Sequence, residues 1–129
     1  MDFFIVEVQQ VALGMDFSTY MQSIIYEVDT LEEIMTLFSS TTYLKAPAIV
    51  HMLQHIITVE VFRNSVIKYL TIHQFGSVTS DDLWNALQSV LDESDVPHDD
   101  YKLKDVMDTW LKQRHYPVIH VYLVIMILR

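Results

Sequence analysis

The chain has 129 residues, 51% of them hydrophobic, with 2 glycines, 3 prolines and no cysteine. That is enough apolar material for one buried core and too few turn residues for an all-β protein, and the missing thiols close disulfide, thiolate-metal and cysteine-nucleophile chemistry together. Eight basic against 17 acidic residues leave a formal net charge of -9, which repels a phosphate backbone and excludes nucleic acid as a partner.

The N-terminal "MDFFIVEVQQ" places no positive charge before its short apolar run and reads as no secretion signal. Phe4, Val8, Val11 and Ala12 recur at helical spacing, which predicts a helix over Phe3–Leu13 stopped by Gly14. Met15 to Asp29 has no sustained period and reads as a loop with apolar anchors at Phe17 and Ile24. Thr30 and Glu33 form a capping box for a second helix with Ile34, Leu37 and Phe38 on one side. Pro47 suits a first turn and opens a third helix running to Ile57, with Ile49, Val50, Met52, Leu53, Ile56 and Ile57 as a broad buried face.

Thr58 caps the fourth helix, in which Val61, Phe62, Ser65, Val66, Tyr69 and Leu70 line up until Gly76 ends it. Thr79 or Ser80 caps the fifth, "DDLWNALQSVL", whose Asp81 and Asp82 favour the positive end of the helix dipole. "DESDVPHDD" is an acidic linker, and "YKLKDVMDTWLKQ" is a sixth, amphipathic helix with Leu103, Val106, Met107 and Trp110 inward. The fold class is therefore mainly α, an array of about six helices ending in one orphan β-strand. That last segment, "VIHVYLVIMIL", is too short to span a bilayer; its β-branched content favours a buried strand over a membrane-associated tail. A strand without a partner exposes its backbone donors and acceptors, so a neighbouring element is expected to be missing.

"HMLQH", residues 51–55, resembles the helical zinc motif H-E-x-x-H with Met52 in place of the glutamate. On a helix, His51, Gln54, His55 and Thr58 form a polar stripe opposite the apolar face. A catalytic zinc needs a third ligand, and a peptidase needs a carboxylate base beside the bound water. Met52 cannot accept a proton, and the gluzincin spacing puts Gln74 where the third ligand should stand. The pair reads as two ordinary histidines on a solvated helix face, and no metal ligand is assigned. His73, His98, His115 and His120 fall singly in separate elements. No G-x-S-x-G elbow occurs, and the run Asp92, Glu93, Asp95, Asp99, Asp100 lacks the glycine and alternating spacing of a calcium loop.

A longer reading of the same region is more specific. The stretch from Thr41 to Val90, followed by "LKDVMDTWLKQRHYPVIHV", resembles peptidase family M1, the aminopeptidase N-like zinc exopeptidases. The pattern S-Y-x-K-G-A-x-V-L-R-M-L, then F-x-x-G-L-x-x-Y-L, D-L-W-x-A-L and M-D-x-W-x-x-Q-x-G-Y-P-V is met at Tyr43, Lys45, Met52, Leu53, Phe62, Tyr69, Leu70, Asp82, Leu83, Trp84, Ala86, Leu87, Met107, Asp108, Trp110, Gln113, Tyr116, Pro117 and Val118. Upstream, Ala12 or Leu13, Asp16, Ile24, Glu33, Ile34 and Phe38 match a further segment, whose S-S-H-P is replaced by Tyr20, Met21, Gln22 and Ser23. In this register His51 takes an arginine position, so "HMLQH" matches the zinc motif by spacing alone.

The resemblance implies an enzyme that releases N-terminal residues from peptides with a zinc-activated water. It also implies that residues 1–117 are the helical C-terminal half of a thermolysin-like catalytic domain, and 118–129 the truncated start of the following β-sandwich. The zinc motif, the third glutamate ligand and the substrate-amine loop G-x-M-E-N of the family are absent from this sequence. The chain by itself is thus expected to be a catalytically silent partial aminopeptidase with no cofactor of its own, zinc belonging to the full-length family. Tyr43 takes the position of the family's catalytic tyrosine, whose phenol stabilises the oxyanion. The family glycine after the lysine is Ala46 here, and Pro47 is expected to turn the preceding residue from helical angles and redirect the backbone carrying Tyr43. Partners would be peptides for a full-length parent, and the missing part of the catalytic domain or a homologue for this chain. Family members are often membrane-anchored or extracellular, and no location is read from these residues. The competing class is a non-catalytic helical module that binds a protein partner through exposed apolar surface.

Overall fold

Six α-helices carry the chain in the computed structural model, which describes residues 3–16 and 22–121. A π-helical turn, Ile5–Gln9, runs into α1 (Gln10–Met15); α2 spans Leu31–Thr36, α3 Ser40–Ile57, α4 Val59–Ile72, α5 Ser80–Asp92 and α6 Leu103–Lys112. Residues 116–121 pair in no sheet, and 122–129, with most of the expected strand, lie outside the described residues, as does Phe17.

The caps follow the local chemistry. Thr30 Oγ1 accepts from the Glu33 amide while the Glu33 carboxylate accepts from the amides of Asp29 and Thr30. Thr79 and Asp82 build a second reciprocal box, which settles the α5 cap on Thr79 instead of Ser80.

Three expected punctuation marks are displaced. Gly14 lies inside α1, which ends on Asp16, and no neighbour lies within 4 Å of where its Cβ would stand. α4 ends at Ile72 with His73 as its cap, and the left-handed backbone in the following turn belongs to Phe75 (φ 61°) and not to Gly76. Pro47 does not open α3. It lies within the helix, which begins at Ser40 under the Ser39 cap, so the backbone of Tyr43 and Ala46 stays helical. The cost is one hydrogen bond, because Pro47 has no N–H to give the Tyr43 carbonyl. Burial holds the helix through it: Lys45, Ile49, Leu53 and Ile57 recur every fourth residue and are all between 0 and 2% exposed. The buried face is narrower than expected, since Val50 and Ile56 are exposed.

That stripe of α3 meets Val61 of α4, Trp84, Leu87 and Leu91 of α5, and Leu103, Met107 and Leu111 of α6 in one core. α4 and α5 pack extensively on each other, and α1 with its π turn lies on α3. The expected anchor Ile24 packs on this core, and its amide and that of Ile25 both donate to the Leu111 carbonyl (2.9 and 3.2 Å). The acidic linker is organised by Asp92, whose carboxylate meets the Gln88 amide and His98 Nε2 (2.6 and 3.0 Å).

Candidate functional site

The N-terminal half of α3 sorts its side chains by helical phase. Tyr43 points outward and is 62% exposed, while Lys45, two residues on and nearly opposite on the helix, is wholly buried. Lys45 Nζ donates to the carbonyls of Arg114 (2.8 Å) and Gln113 (3.3 Å) and lies 4.9 Å from the centre of the Tyr116 ring. Burial lowers the Lys45 pKa from 10.5, opposed by the negative charge of Asp16. Asp16, the α1 cap, accepts the Tyr116 amide on both carboxylate oxygens (3.1 and 3.2 Å), and His115 Nδ1 stands 2.8 Å from its carbonyl. Burial, then the Asp16 charge, raises the Tyr116 phenol above 10.0. Its hydroxyl has no hydrogen-bond partner among the described residues, and its ring stands edge-on to Trp110 at 6.1 Å.

Asp16, Lys45 and Tyr116, each matched separately in the sequence pattern, thus meet in space. Together they pin the chain leaving α6 to the end of α1 and to the turn of α3 that displays Tyr43. Sequence reasoning missed this anchor. The available signal was that Lys45 heads the same fourfold stripe as Ile49, Leu53 and Ile57. Beside it a cleft of about 160 Å³ is lined by Gln9, Leu13, Ala48, Ile49, Met52, Trp110 and Tyr116.

On the polar stripe of α3, His55 and Thr58 are exposed, while His51 and Gln54 are half-buried. His51 is half-buried with its ring 4.6 Å from that of Phe4, and the two imidazoles meet edge to face with their Nε2 atoms 3.3 Å apart. They open on a cleft of about 430 Å³ whose other walls are Gln9, Ala48, Met52 and Ile56. Gln74 lies in the exposed turn after α4. Among the described residues no three histidine, cysteine, aspartate or glutamate side chains converge on a possible metal position. The described residues therefore do not fit the zinc centre of an aminopeptidase, which takes three protein ligands and a base for the bound water. No helix among the described residues is long and apolar enough to cross a membrane.

Three relatives of this chain are aminopeptidases by name. The aminopeptidase N of Plutella xylostella is 33% identical over 121 residues, which is 94% of this chain and 13% of that protein. The glutamyl aminopeptidase of Bitis rhinoceros is 38% identical over 94 residues, covering 73% of this chain and 9% of that protein, and the aminopeptidase N of Lactococcus lactis subsp. lactis is 35% identical over 109 residues, covering 84% and 12%. Residues 1–110 match the model of the peptidase family M1 domain. The chain belongs to peptidase family M1, and it spans roughly a tenth of the length of these relatives.

Proposed function

We propose that these 129 residues are the helical C-terminal half of an M1 catalytic domain, silent as a peptidase by themselves, and that residues 118–129 begin the domain that follows. The parent reaction on this reading is release of an N-terminal amino acid from a peptide, as the names of its relatives describe for those proteins. Zinc, when bound by the remainder of such an enzyme, supplies the activated water. This chain supplies the oxyanion donor: the Tyr43 phenol, held outward on α3 by the buried Lys45 at its back. The exposure of Tyr43 beside that anchor is the observation that carries the reading, because a phenol serving only the core would be covered. Removing such a donor from a complete site costs about 3 kcal/mol of transition-state stabilisation, and without metal and base the donor accelerates nothing.

The purified chain, assayed with and without added zinc on aminoacyl-arylamides, should show no turnover above buffer. Turnover that Tyr43→Phe diminishes would reject silence, and turnover untouched by it would reject the role of Tyr43 as well. A second reading, a binding module, draws on the exposed apolar residues Leu31 and Met35 of α2 and Phe38 of the link to α3. On that reading the partner is the missing part of a catalytic domain or an intact homologue; a strictly monomeric chain that captures neither in sedimentation would reject it.

A further inference from the structure

We propose that His51 and His55 form a two-imidazole site for a tetrahedral divalent cation, zinc(II) foremost, in the cleft between α3 and the N-terminal π turn. The observation is geometric. The ring centres are 4.6 Å apart and the Nε2 atoms only 3.3 Å, so the two rings converge on their Nε2 edges. With zinc–imidazole bonds of about 2.0–2.1 Å, two ligands at the tetrahedral angle stand about 3.3–3.4 Å apart, whereas a right angle brings them to about 2.9 Å. The observed spacing, a hydrogen-bond contact between the two imidazoles without an ion, is also the spacing of two ligands on a tetrahedral ion.

The surroundings support a cation on these two nitrogens. Two neutral imidazoles meeting through Nε2 share at most one proton, while a metal ion accepts both lone pairs. The ring of Phe4, tilted by 37° against His51, limits that ligand's rotation, so less freedom is lost on binding. Gln9, on the facing element, lines the same cleft, and its open mouth admits water to the remaining positions. Among the described residues no carboxylate lines the cleft, so none of them gives a water bound there a general base. The site is one for binding, separate from the chemistry assigned above and independent of that assignment.

The test is titration of zinc(II) alone into the whole chain, by calorimetry and by competition with a chromophoric chelator, with circular dichroism as the check on folding. One ion per chain is expected. Because the second imidazole acts at high effective concentration, His51→Ala and His55→Ala should each weaken binding by about 100-fold with helix content unchanged. His73→Ala, at the cap that follows α4, should bind as the parent does. Zinc-dependent shifts of the two imidazole resonances in NMR spectra supply a readout that survives a small loss of stability. Absence of stoichiometric binding, or equal binding by the H51A/H55A double variant, overturns the proposal.

Discussion

Replacing Lys45 by methionine keeps the length and bulk of the buried side chain and removes its charge and its donors. Two hydrogen bonds from the ammonium to the Gln113 and Arg114 carbonyls are lost, each contributing about 1.5–3 kcal/mol because the donor is charged. The contact with the Tyr116 ring adds about 0.5–2 kcal/mol. Against this stands the relief of a buried charge, worth several kcal/mol and visible in the lowered Lys45 pKa. The difference leaves Lys45→Met destabilised by about 2 kcal/mol. Lys45→Ala should lose about 2 kcal/mol more, for the buried methylenes removed with the charge.

Urea unfolding followed by tryptophan fluorescence and far-ultraviolet circular dichroism measures both, Trp110 reporting directly on the Tyr116 contact. The pH dependence has a definite sign. Between the lowered folded value and 10.5 the unfolded chain holds more protons on Lys45, so the parent gains stability as pH rises through that window, and Lys45→Met does not. If Lys45→Met matches or exceeds the parent at neutral pH, the ammonium is a tolerated burden and the anchoring argument fails.

Three other outcomes are expected. Pro47→Ala restores a donor to the Tyr43 carbonyl inside a continuous helix and should raise stability by about 1–3 kcal/mol in the same unfolding assay; a loss would mean that the proline ring is needed where it packs. Thr79→Ala opens the α5 capping box and should cost about 1 kcal/mol in thermal unfolding, with Ser80→Ala near neutral as the control for which residue caps. On acidification, stability should fall as pH drops below the ordinary carboxylate values of 4.5 and 3.8, because the folded state holds four carboxyls lower. Glu33 is lowered chiefly by the Asp29 amide, Asp82 by the Thr79 amide, Asp92 by the Gln88 side chain and Asp108 by Lys112. A flat acid limb down to the folded values would refute those pairings.

The zinc motif lookalike shows how spacing and placement part company. H-x-x-x-H establishes that two imidazoles share a helix face, and that Met52 and Gln74 stand where a zinc motif in that register would need glutamates follows from the residue types alone. That the imidazoles touch each other, with Phe4 laid against one of them, depends on how α1 and its π turn pack on α3.

By itself the sequence determined the helical class, the Thr30–Glu33 capping box, the apolar stripe of α6 and the family, since each rests on contacts within four residues or on residue types in order. Only the tertiary structure decided that α3 runs through Pro47, that Lys45 is buried, and that Asp16 reaches Tyr116 across most of the chain. Helix period and caps are local hydrogen-bonding facts, whereas a buried ammonium or a helix carrying an internal proline is stable only where distant segments bring the donors, acceptors and apolar surface that compensate it.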